Sequence, residues 1–190
     1  MSFQKTLEAS QEWARILHCS YVTDLNEIVE NGNIGELIRV SEALHEKRIA
    51  NIADEIVRKI ATRRLVLIAG PSSSGKTSFA QRLRVQLRVM GLEPVSISMD
   101  DYFHNREDTP KKPNGEYDFE SIRAIDTDLF NSQLTSLLNG EEVSLPTFNF
   151  VLGIPEFKGK KLRLGENDIL IIEGLHGLNE ELTSHIKREN

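Results

Sequence analysis

The chain has 190 residues, 39% of them hydrophobic and 27% charged, a composition typical of an ordinary globular protein rather than a disordered or low-complexity one. Its formal charge of -6 repels a phosphate backbone, which argues against nucleic acid as a general partner. A single cysteine, Cys19, excludes an intramolecular disulfide and points to the reducing cytoplasm, and no apolar run approaches the roughly 20 residues a bilayer needs, so no membrane segment is expected.

Phe3 to Leu17 places Phe3, Leu7, Trp13, Ile16 and Leu17 at roughly helical spacing among polar residues, which predicts an amphipathic helix. Thr23 is the expected cap of a short helix running to Glu30, stopped by Asn31-Gly32-Asn33. A longer helix follows, with Ile34, Leu37, Ile38, Leu44, Ile49, Ile52, Ile56 and Ile60 on its buried side. Residues 1–62 therefore read as a helical N-terminal segment, and residues 63–190 as a separate domain.

The pattern changes at Leu65. Leu65 to Ala69, Val95 to Met99 and Ile169 to Ile172 are short continuous apolar runs, as expected of strands buried on both faces of a parallel sheet. Between the first two, Ser78 to Met90 carries Phe79, Leu83, Leu87 and Met90 at helical spacing and ends at Gly91. Strand, helix, strand is the signature of a doubly wound α/β fold with a parallel sheet and flanking helices. Asp126 to Leu138 reads as a further helix, and Val143 to Phe150 and Lys160 to Leu164 as two extended segments joined by turn material around Gly153-Ile154-Pro155.

Directly after the first strand, Gly70-Pro71-Ser72-Ser73-Ser74-Gly75-Lys76-Thr77 fits the G-x-x-x-x-G-K-[ST] pattern without a gap. The glycines let the loop curl so that the amides from Gly70 through Ser72, Ser73, Ser74 and Gly75 to Ser78 can hold phosphate oxygens at a helix N-terminus. Lys76 supplies positive charge to the β and γ phosphates, and the Thr77 hydroxyl is a hard-oxygen ligand for magnesium. The loop therefore predicts ATP or GTP with Mg2+. Glu173, at the carboxyl end of the third apolar run, is positioned to reach the metal directly or through water, or else is a plain turn acid. Asp100, at the end of the second run, is the expected base toward a substrate hydroxyl, with Asp101 as the alternative.

The P-loop, Ser98-Met99-Asp100-Asp101-Tyr102-Phe103, Tyr117-Asp118-Phe119-Glu120, Leu145-Pro146-Thr147-Phe148-Asn149-Phe150 and Ile171-Ile172-Glu173-Gly174 follow one another in an order and spacing that resemble the uridine kinase and phosphoribulokinase family. The likeness covers residues 63–190. It implies a P-loop kinase in which ATP or GTP phosphorylates a nucleoside hydroxyl, with the catalytic acid at Asp100, a ribose-binding acid most nearly at Glu120 and a substrate hairpin at residues 143–164. Phe103 and Phe148 would then contact the substrate, stacking on a flat ring unless they serve as core. Where uridine kinases place a Tyr and a His to read the pyrimidine, this hairpin has Phe148 and Gly153. Family members continue into an arginine-rich lid and further strands, so the chain reads as truncated at its C-terminus, with weak nucleotide binding and little turnover expected of these residues alone. Ile38 to Ile60 resembles the segment preceding the kinase domain in bacterial uridine kinase-like proteins whose upstream regions are related to threonyl-tRNA synthetase. The expected partners are a nucleoside-like small molecule and, within a homo-oligomer, further copies of the chain. A kinase for another small alcohol, such as a phosphopentose or pantothenate-like compound, and a nucleotide-binding regulatory module are the competing readings.

Overall fold

The computed structural model describes residues 3–179 together with 181 and 182. Residues up to Arg48 form one compact unit and those from Ile49 onward another. The first holds α1 (Phe3–Ile16), α2 (Val22–Glu30) and the opening turns of α3 (Ile34–Lys59). Helix α2 starts ahead of Thr23, the residue expected to cap it. The Asp24 carboxylate accepts from the Ser20 and Tyr21 amides at 2.8 and 2.9 Å, which makes Tyr21 the cap, two residues earlier. Among the described residues from Gln4 to Arg48 none is buried.

The second unit is built on β1 (Leu65–Ala69), α4 (Lys76–Val89), β2 (Glu93–Ser98), α5 (Thr127–Leu138), β3 (Val143–Ser144), β4 (Thr147–Asn149), β5 (Ile154–Glu156), β6 (Lys161–Leu162) and β7 (Asp168–Gly174). The three apolar runs pair as one parallel sheet in the order β1-β7-β2. Ala69 lies beside Gly174, and Ile68 and Ser98 both lie beside Glu173, so all three carboxyl ends finish at one level.

Side chains alternate across this sheet, and both faces are covered, which is why the strands read as unbroken hydrophobic runs. Ile169 and Ile171 of β7 join Ile68, the α4 residues Ala80, Leu83 and Leu87, and Ile49 and Ala53 from the later turns of α3. Leu170 and Ile172 point the other way, into a core with Ile97, Met99, Phe130, Leu134, Leu137, Phe148 and Leu164. Asp126 caps α5 by accepting from the Leu129 amide at 2.9 Å.

The stretch from Val143 to Phe150 departs from the single extended segment expected of it. Pro146 has no N–H to continue a ladder, and the chain changes partners there: β3 pairs with β6 and β4 with β5, both antiparallel. Ile154-Pro155, expected as turn material, forms the start of β5, and the reversal falls on the residues ending at Gly153, whose amide donates to the Asn149 carbonyl at 2.6 Å. Among the described residues no helix is long and apolar enough to cross a membrane.

Candidate active site

The loop from Gly70 to Gly75 links β1 to α4, and its curl is visible in the backbone. Ser73 takes φ 58° and Gly75 φ 84°, the Ser74 amide donates to the Pro71 carbonyl at 3.3 Å, and the loop closes on Gly75 as the N-cap of α4. A Cβ at Gly70 would lie 2.7 Å from the Ser74 hydroxyl, so the two loop ends approach too closely for a larger residue. Lys76 donates from Nζ to the Pro71 carbonyl at 2.8 Å, which holds the ammonium over the loop. Ser72, Ser73, Ser74, Thr77 and Ser78 are all exposed around it. Successive amides at a helix start, with a lysine above them, form an anion-binding concavity.

Thr77 and Glu173 meet although 96 positions separate them: the Thr77 hydroxyl donates to Glu173 Oε2 at 2.9 Å. The strand register carries Glu173 to this place, since it ends β7 between the ends of β1 and β2. A hydroxyl and a carboxylate side by side are hard-oxygen donors of the kind magnesium takes, and the pair fits that ion.

At the end of β2 the chain turns into a short 3-10 helix, Met99–Tyr102, capped by the Ser98 hydroxyl, which accepts from the Asp100 amide at 3.3 Å. Met99 is fully buried and packs on Gly174, where a Cβ would collide with its sulfur. That close approach, available only above a glycine, brings Asp100 alongside the strand-end cluster. Asp100 reaches solvent, yet the protein around it pushes its carboxyl above the ordinary value. Loss of water is the largest cause; Lys76 acts in the opposite direction, and the charges of Asp101 and Glu173 add to the rise. Lys76 and Glu173 are thus both within electrostatic reach of Asp100.

The remaining expected residues divide. Phe103 and Phe148 come together, with ring centroids 5.5 Å apart and edge to face, and Phe148 meets Phe150 at 5.1 Å in the same manner. Both Phe103 and Phe148 are buried, so their rings serve as a packed wall. Glu120 is exposed on the turn before a further 3-10 helix, Ile122–Ala124, with its amide donating to Asp118 Oδ1 at 3.3 Å. Among the described residues no hydrogen bond joins its carboxylate to the strand-end cluster. Asp101 instead ties the site to the hairpin, accepting from the Phe148 amide at 3.2 Å across 47 positions. Next to it the Tyr102 phenol is raised by burial and by Asp101, so it stays protonated and donates to Gln133 Oε1 at 2.9 Å. Sequence reasoning singled out Asp101 only as an alternative base and did not single out Arg106, whose guanidinium donates to the Phe150 carbonyl at 2.6 Å. Neither contact has a local signal, because both join segments far apart in the chain.

The model of the phosphoribulokinase / uridine kinase family matches residues 65–187. Among characterised proteins, the chain is 35% identical over 126 residues to a uridine kinase of Schizosaccharomyces pombe, covering 62% of this chain and 26% of that protein. It is 31% identical over 125 residues to a uridine kinase of Mycoplasma genitalium, covering 65% and 57%. The chain therefore spans between about a quarter and just over half of the length of these relatives. Its fold matches a solved structure of a possible uridine kinase from Bacillus stearothermophilus with a TM-score of 0.61 at 24% identity, over 73% of this chain and 76% of the other.

Proposed function

The chain belongs to the phosphoribulokinase and uridine kinase family, and on that premise we propose that it moves the γ-phosphoryl group of ATP or GTP onto a hydroxyl of a nucleoside-like acceptor such as uridine or cytidine. The observation that carries this reading is the convergence at one sheet end of Lys76, the Thr77–Glu173 pair at 2.9 Å and a carboxylate, Asp100, within electrostatic reach of both. The acceptor oxygen bonds the γ phosphorus while its proton passes to Asp100, and the bond from that phosphorus to the β–γ bridging oxygen breaks to release the nucleoside diphosphate, ADP or GDP. Lys76 and the loop amides hold the phosphates and offset their charge. Thr77 and Glu173 would hold Mg2+, which would supply further charge neutralisation to the phosphates.

A kinase for another small alcohol is the second reading, favoured by the hairpin: Phe148 is buried and Gly153 offers no side chain to a base. The experiment combines two measurements. Calorimetry with ATP and Mg2+ is expected to show heat that disappears in Lys76→Ala, and nucleosides are expected to stimulate ADP release above background. Heat that survives Lys76→Ala defeats the P-loop assignment, and ATP binding with no nucleoside-stimulated release defeats the nucleoside kinase.

A further inference from the structure

Helix α5 meets the 3-10 turn that bears Asp100 at three points, all of them on Tyr102. The Phe130 ring stands edge to face on the Tyr102 ring at 5.1 Å, the Asp126 amide donates to the Tyr102 carbonyl at 2.8 Å, and the Tyr102 phenol donates to Gln133 Oε1 at 2.9 Å. The first two contacts end on α5. The third continues, because Gln133 Nε2 donates to the Ser144 carbonyl at 2.8 Å. One side-chain amide therefore joins the turn to β3, just ahead of Pro146 and β4. The amide has a single orientation that satisfies both partners. A carbonyl oxygen can only accept, so Nε2 must face Ser144, which leaves Oε1 to the phenol. The phenol must then keep its proton, as its burial ensures. A carboxylate at position 133 would set oxygen against oxygen at Ser144.

Asp101, the neighbour of Tyr102, makes a separate tie, to the Phe148 amide at 3.2 Å. Two successive residues of the turn thus hold the chain on either side of Pro146, at Ser144 through Gln133 and at Phe148 directly. A segment tied at one point can pivot about it; tied at two points, it has a fixed angle. We propose that Gln133 is a positioning residue, the second of two ties that fix the angle of β4 to the turn bearing Asp100. It acts through Tyr102 and Ser144, the two groups its amide bonds. The proposal rests on the kinase reading only for what the angle serves, the alignment of an acceptor hydroxyl between Asp100 and the γ phosphate, where small misplacements are costly. The tie itself does not depend on that reading.

Steady-state kinetics with uridine, ATP and Mg2+ compare the wild type with Gln133→Leu, Gln133→Glu, Tyr102→Phe and the double variant Gln133→Leu/Tyr102→Phe, with thermal melts to establish that each is folded. Each single variant is expected to lose about 10-fold or more in kcat while the KM values for ATP and uridine stay within about threefold of the wild type. The double variant is expected to be no worse than Gln133→Leu, because one bridge is cut only once. If Gln133 merely packs the core, folded Gln133→Leu keeps the wild-type kcat, which overturns the proposal. Losses that multiply in the double variant overturn it too, as does full activity in Gln133→Glu, which keeps the acceptor for Tyr102 and lacks the donor for Ser144. If Gln133→Leu does not fold, Gln133→Glu and Tyr102→Phe are judged by the same split between kcat and KM. Hydrogen exchange supplies a readout independent of turnover: the Asp100 and Phe148 amides are expected to exchange about 10-fold faster in Gln133→Leu, or in Gln133→Glu should the former not fold, with the β7 amides unchanged. Absent turnover in the wild type defeats the kinase reading, whereas Gln133 is then judged by exchange, and wild-type rates at Asp100 and Phe148 overturn its role.

Discussion

Asp100 is placed where ionising costs more than it does in water, a cost that would suit the role of base proposed for it. Its folded-state pKa is raised by loss of water and by the charges of Asp101 and Glu173, with Lys76 offsetting only part of this. The sign follows: a raised folded pKa means that the fold favours the protonated carboxyl. The stabilising contribution is therefore present below the unfolded pKa and is lost as pH rises through the folded one. Near neutral pH the ionised group works against the fold. Asp100→Asn is accordingly expected to melt at a higher temperature than the wild type near neutral pH, with the gap closing as pH falls below the ordinary carboxylate range, where the aspartate is protonated in both states. If Asp100 is the base, the same variant is expected to lose about 10²- to 10⁴-fold in kcat, because an amide cannot take the acceptor proton. A melting gap that is equal at both pH values would show that Asp100 is not the source. In the wild type, kcat/KM should fall on the acid side at a pH above that of an ordinary exposed carboxylate.

At the scale of elements, the site depends on how the 3-10 turn after β2 is joined to the hairpin. Asp101 makes that join, since its carboxylate accepts from the Phe148 amide at 3.2 Å. Asp101→Ala leaves a part-buried N–H without its partner, a loss on the order of 1–3 kcal/mol concentrated on β4. The expected outcome is faster hydrogen exchange across Thr147 to Glu156 and a raised KM for the acceptor, with the KM for ATP little changed; equal loss for both substrates would count against a positioning role. These elements also show which parts of the molecule were legible in sequence. Leu65 to Ala69 and Ile169 to Ile172 announce themselves because both sheet faces are packed, so every position is apolar. The P-loop is legible because each residue answers a local backbone need. The hairpin region was legible only in part: the two extended segments do pair as β3 and β6, but each strand is only two residues long, and Pro146 splits off β4, whose partner β5 was expected as turn material. Arg106 was invisible for a related reason: its meaning comes from Gly153 and Phe150, which are near it only after folding.

Across the whole molecule, the site's rigidity is set by a core that begins before the first strand. The composition changes at Leu65, but packing onto the sheet begins earlier, on α3: Ile49 and Ala53 are buried at 0% and 1% exposure with Ile68, Leu83 and Ile171. That layer backs β1 and α4, the two elements that hold the P-loop between them. Ile49→Ala removes three carbons from a fully buried position, so a loss of about 2–5 kcal/mol is expected in urea unfolding. Residues on the helices before Arg48 stand in contrast. Val22 is 75% exposed, and Val22→Ser there is expected to change stability by no more than about 0.5 kcal/mol. If Ile49 acts only through the core, the folded fraction of Ile49→Ala should bind ATP with wild-type affinity at low temperature, its deficit appearing as a lowered unfolding midpoint. A weakened affinity in protein shown to be fully folded would mean instead that this layer sets the curl of the P-loop itself, through the joint movement of β1 and α4.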